Sequence, residues 1–132
     1  MKKFLSIITL LAVVFSFSSC RYTSSYRAIG LVRSNTSHSC DVSFLSLDGQ
    51  LVFKLKKSDS GSEGAISYTA SLEEGEVYIY YDIYGTKENL ATIKAGETVN
   101  ESGGYIEKGH TVYIIIEGKD NAHGKVSVEL NG

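Results

Sequence analysis

The residues able to do chemistry are few and scattered. The histidines are His38, His110 and His123, and none stands at an H-x-x-x-H spacing with a carboxylate partner, the arrangement a zinc site uses. Asp59, Glu63 and Asp120 offer hard oxygen donors, but their loops lack the dense carboxylate spacing of an EF-hand. Gly61-Ser62-Glu63-Gly64 departs from the G-x-S-x-G nucleophile elbow, and no strand-to-helix context surrounds it. Cys40 has His38 nearby but no third group to orient the pair, and it shares a strand face with Val42 and Phe44. It therefore reads as a small core residue rather than a nucleophile. No catalytic residue, metal ligand or cofactor is assigned. Carboxylates that pair only in space leave a small cell-envelope hydrolase as the competing reading.

The strongest candidate surface is aromatic. Tyr78, Tyr80 and Tyr84 alternate along Val77 to Tyr84, and one strand face carrying all three would offer a flat platform for sugar rings or a partner protein. The structural reading of the same tyrosines is cover for a central strand, with loops or the N-terminal segment laid over them. The absence of tryptophan weakens the sugar reading.

Short alternating runs must position these residues. Tyr26 to Arg33, Cys40 to Leu47, Leu51 to Lys56, Ala65 to Leu72, Val77 to Tyr84, Leu90 to Ile93, Thr111 to Glu117 and Lys125 to Leu130 read as strands. In Leu51 to Lys56, Leu51, Phe53 and Leu55 share one face while Lys54 and Lys56 take the other, the period-2 pattern of a half-buried strand. Asp48-Gly49 predicts a type I′ hairpin, since both central residues of that turn need positive φ. Leu72-Glu73-Glu74-Gly75, Ile93-Lys94-Ala95-Gly96 and Ile106-Glu107-Lys108-Gly109 repeat a turn grammar ending in glycine. Lys57 to Gly64 and Gly118 to Gly124 read as polar loops. With no proline and no helical period beyond the leader, the expected fold is all-β, an antiparallel β-sandwich of about eight strands, jelly-roll or immunoglobulin-like.

The N-terminus sets the address. Lys2 and Lys3 precede an apolar run from Phe4 to Phe17. That run is shorter than the ~20 residues a membrane-spanning helix needs, and it suits the apolar core of a signal peptide. The run closes on Phe17-Ser18-Ser19-Cys20, which resembles the lipobox of bacterial lipoproteins; the family pattern has an aliphatic residue where this chain has Phe17. The resemblance implies diacylation of Cys20, cleavage before it, and a domain held outside the cytoplasm on a cell membrane or outer membrane. Ser16 and Ser18 also fit an ordinary cleavage site that would release a secreted chain from Ser19 and leave Cys20 available to Cys40.

The expected organisation is a signal peptide over 1–19, a lipidated tether over 20–25 and one domain over 26–132. Losing Lys2 and Lys3 lowers the 13 basic residues to 11 against 15 acidic ones, a net charge of −4. That balance argues against a nucleic-acid partner, and Lys54, Lys56 and Lys57 form the largest basic cluster. The sequence thus predicts a membrane-anchored, non-catalytic binding or envelope-interaction domain with a protein or glycan ligand. The rival binding reading is a secreted carbohydrate-binding module.

Overall fold

The computed structural model describes residue 22 and residues 24–57, 64–107 and 109–130. The signal-peptide and lipobox residues, Cys20 included, and most of the loop that holds Asp59 and Glu63 lie outside the described residues. Among the described residues seven strands follow in chain order: β1 (Ser25–Ile29), β2 (Val32–Asn35), β3 (Ser39–Lys56), β4 (Gly64–Asp82), β5 (Glu88–Lys94), β6 (Thr98–Ile106) and β7 (Thr111–Leu130). All pairings are antiparallel. The described residues contain no helix.

Three of these strands are far longer than the usual 5–6 residues, and each is bent. An 18-residue strand such as β3 would span roughly 55 Å if straight. Yet the Lys56 N–H at its end donates to the Ser37 carbonyl just before its start, at 2.7 Å. Strand β3 therefore folds back over itself. Register shifts mark the bends at one level in all three strands: Phe44 to Gly49 in β3, Leu72 to Glu76 in β4, and the facing stretch of β7.

The bends turn one continuous hydrogen-bonded sheet into two layers. The first layer runs β2, β3 before its bend, β7 after its bend, β4 before its bend, then β6. The second runs β1, β3 after its bend, β7 before its bend, β4 after its bend, then β5. Alternate residues of both layers point inward, which is why the sequence shows period-2 burial. Val42, Phe44, Ile66, Ala70, Val126 and Val128 of the first layer join Leu51, Phe53, Val77, Ile79, Ile114 and Ile116 of the second in one buried cluster. The sandwich class is as expected, and Cys40 sits in its core at 1% exposure, outside any disulfide.

The strand boundaries depart from expectation for a physical reason. A type I′ turn needs positive φ at both Asp48 and Gly49, and only Gly49, at 109°, has it. Both halves of that segment pair with β7, so β3 passes through Asp48-Gly49 as an irregular bend and no hairpin forms. Similarly, Glu73-Glu74-Gly75 is a bend inside β4, and the expected loop from Gly118 to Gly124 is the bend of β7. There Asp120 and Asn121 adopt φ of 56° and 54°. The Asn121 N–H donates to Asp48 Oδ1 at 3.1 Å, tying the bends of β7 and β3 together. The first candidate strand splits at Gly30-Leu31 into β1 and β2, which serve different layers.

Candidate functional site

The two outer faces differ sharply. The first layer presents hydroxyls: Ser43, Ser67, Thr69, Ser71 and Ser127, with Ser127 Oγ donating to Asp41 and Ser71 against Thr98 at 3.3 Å. The second layer presents tyrosines. Inward Val77 and Ile79, both fully buried, fix the opposite orientation of Tyr78 and Tyr80, whose side chains are half-buried on the outer face.

Tyr78 and Tyr80 lie with ring centroids 6.3 Å apart and planes only 17° from parallel. Lys119 Nζ stands 4.9 Å from the Tyr78 ring and Lys87 Nζ 4.2 Å from the Tyr80 ring. Both lysines are exposed, so each cation–π contact is worth about 0.5–1 kcal/mol and yields readily to a ligand. The Tyr78 hydroxyl donates to Glu76 Oε2 at 2.6 Å, and that hydrogen bond, followed by desolvation, raises its pKa above the ordinary phenol value. Tyr78 pairs across β7 with Glu117, which pairs in turn with Gln50 of β3. Beside this row Ser25, Asp48, Gln50, Glu117 and Lys119 line an open polar cleft at the bent end of the layer.

Tyr84 leaves the row. Strand β4 ends at Asp82, and Tyr84, 68% exposed, stands edge-on to His110 with centroids 5.5 Å apart. Its place is taken by residues that sequence reasoning passed over. Tyr22, from the expected tether, donates its hydroxyl to Asp82 Oδ2 at 2.5 Å and packs on the Tyr113 ring at 5.5 Å. The Gly85 N–H donates to the other oxygen of Asp82, which is 1% exposed. Ser24 Oγ accepts from the Val52 N–H at 2.9 Å. The N-terminal segment is thus laid across part of the outer face. Ile115, also outward-pointing on β7, is fully buried, as a strand covered on both sides requires.

Among the described residues, the histidine–carboxylate pairs elsewhere each join one histidine to one glutamate. His123 Nδ1 approaches Glu73 Oε2 at 3.3 Å and His110 Nε2 approaches Glu107 Oε2 at 3.4 Å, while His38 is exposed. Ser71 lines the same shallow depression as His123, but its hydroxyl is engaged with Thr98. The thiol of Cys40 is pushed up from 9.0 to about 12, chiefly by desolvation and then by the Asp41 charge, so it is an inert neutral group at ordinary pH. Among the described residues no group of three or more His, Cys, Asp or Glu is placed to hold a metal ion.

Comparison with known proteins gives no matching family and no matching curated protein. Among solved structures, a mutant of CBM29-2, a family 29 carbohydrate-binding module complexed with mannohexaose, has 16% identity, a TM-score of 0.44, and coverage of 81% of this chain and 77% of that one. Another mutant of a family 29 module gives 16% identity and a TM-score of 0.43 over 81% of this chain and 77% of that one. A cupin domain of CENP-C from Drosophila melanogaster gives 11% identity and a TM-score of 0.37 over 80% and 74%.

Proposed function

We propose that this chain is a lipid-anchored, extracytoplasmic and non-catalytic binding module that takes a glycan on its tyrosine face. The observation that supports the reading is the near-parallel pair of half-buried rings, Tyr78 and Tyr80, continuous with a polar cleft. Sugars present apolar C–H faces and a fringe of hydroxyls. Large aromatic side chains offer a matching amphipathic surface at low entropic cost, and Gln50, Asp48 and Glu117 supply donors and acceptors beside them. The anchor is the lipid on Cys20 that the lipobox resemblance implies.

A glycan array probed with the purified full mature chain in detergent micelles tests the ligand class. Wild-type protein is expected to retain a subset of glycans, the Tyr78→Ala/Tyr80→Ala double variant to lose them, and a Thr69→Ala variant on the hydroxyl face to keep them. Retention of the same glycans by the double variant would overturn the reading.

A further inference from the structure

The register of the second layer arranges its outer face in rows. Paired residues on neighbouring strands share a face. Ser25 of β1 pairs with Gln50 of β3, Gln50 with Glu117 of β7, Glu117 with Tyr78 of β4, and Tyr78 with Thr92 of β5. One outward-facing row thus crosses every strand of the layer. Neighbouring strands lie about 4.7–4.9 Å apart, so the row spans roughly 19 Å, further than a disaccharide reaches. Ser25 and Thr92 at its two ends are exposed, and among the described residues no strand pairs beyond β1 or β5. The row is open at both ends. The direction along β4 is closed: just beyond Tyr80, Asp82 is buried and accepts from the Tyr22 hydroxyl, and Tyr22 packs on Tyr113.

We infer that this face holds the interior of an extended, uncharged polysaccharide laid across the strands along the row; the inference rests on the glycan reading of the tyrosine face. A site open at both ends accepts a chain segment without reading chain termini. Tyr78 gives the row its stacking ring, and Tyr80, one step along β4, widens that floor. The hydroxyls of Ser25 and Thr92, the Gln50 amide and the Glu117 carboxylate supply the kinds of donor and acceptor that sugar hydroxyls need. Charges bordering the row alternate in sign. Lys94 and Lys119 flank Glu76 in the adjacent row, and Lys119 Nζ lies 3.7 Å from Glu117. Arg27 pairs with Asp48 at the cleft, where Asp120 adds one more carboxylate. That near balance fits an uncharged chain and opposes a uronate or sulfated one.

The test titrates the full mature chain, in detergent micelles, by isothermal calorimetry. The probes are ladders, from monosaccharide to hexasaccharide, of extended β-1,4-linked glucose, xylose and N-acetylglucosamine chains, and of the coiled α-1,4-linked glucose chain. At least one β-1,4 ladder is expected to gain about tenfold or more in affinity from disaccharide to pentasaccharide. Methylating both chain ends of its hexasaccharide should leave the affinity unchanged, and the α-1,4 ladder should bind more weakly. The Ser25→Ala/Thr92→Ala double variant should lower the ratio of hexasaccharide to disaccharide affinity, a readout that a loss of folded protein would not move. Affinity that stops rising at the disaccharide, disappears on methylation, favours the α-1,4 ladder or keeps its ratio in the double variant would overturn the row. Failure of every β-1,4 ladder in protein that still retains other glycans on the array would overturn it too, leaving glycan binding intact. Failure to retain any glycan on the array would remove the glycan reading, and this inference with it.

Discussion

One hydroxyl helps to hold the N-terminal segment on the sheet. Tyr22 donates to Asp82, a carboxylate that the surrounding sheet buries almost completely. Removing that donor deletes one hydrogen bond to a buried carboxylate that still accepts from the Gly85 N–H, at a cost of about 1–3 kcal/mol. Tyr22→Phe is therefore expected to lower unfolding free energy by that amount in urea titrations, with the ring contact to Tyr113 retained. Cys40 supplies a second residue-scale test. Its thiol binds its proton more tightly folded than unfolded, so the stabilising difference is fully present below pH 9.0 and is lost as pH rises toward about 12. Stability should decline across that window by at most about 1.4 kcal/mol per pH unit from this thiol, and Cys40→Ala should make the decline that begins near pH 9 shallower, the remainder coming from Tyr68, Tyr78 and Tyr81, whose pKa values are also raised on folding. The outward placement of Tyr78 and Tyr80 was legible from period 2 alone. Tyr22 was not, because its partner stands 60 residues away and nothing local marks the contact.

At the scale of elements, the apolar alternation was readable and the places where strands bend were not. Each bend uses turn-type residues, Asp48-Gly49, Glu74-Gly75 or Asp120-Asn121, so a bend and a true reversal look alike in sequence. What separates them is whether the flanking halves pair with each other or with a common neighbour, a long-range choice that β7 makes here. Strand β6, Thr-Val-Asn-Glu-Ser-Gly-Gly-Tyr-Ile, escaped detection because it is a mostly exposed edge strand whose few apolar residues show no alternation. The bends can be tested through glycine. A Cβ at Gly49, where φ is 109°, would strike the Ser25 carbonyl oxygen, whereas one at Gly96, at φ 87°, meets nothing within 4 Å. Gly49→Ala is expected to destabilise by well over 1 kcal/mol and Gly96→Ala by clearly less, read from urea midpoints at constant slope.

For the whole molecule, two layers made from one folded sheet put the near-parallel Tyr78 and Tyr80 rings on one outer face and a row of hydroxyls, Ser67, Thr69 and Ser127 among them, on the other. The class of fold was accessible from composition and period, since strands this apolar at alternate positions must bury one face. The asymmetry of the outer faces required the structure, which shows which strands become neighbours. The anchor belongs to this scale as well: Cys20→Ala is expected to stop lipid labelling and leave the precursor unprocessed by the lipoprotein peptidase, whereas unchanged maturation would support cleavage after Ser18. Within the bound complex, Tyr78 and Tyr80 should act as the central anchors, each losing about 2 kcal/mol or more of binding on truncation to alanine. The most direct measurement is a map of backbone amide NMR shifts in the mature protein on addition of the glycan it retains from the array. The account predicts that the shifts concentrate on Gln50, Tyr78, Tyr80, Glu117 and Lys119. Shifts gathered instead on Ser67, Thr69, Asn100 and Ser127 would contradict it.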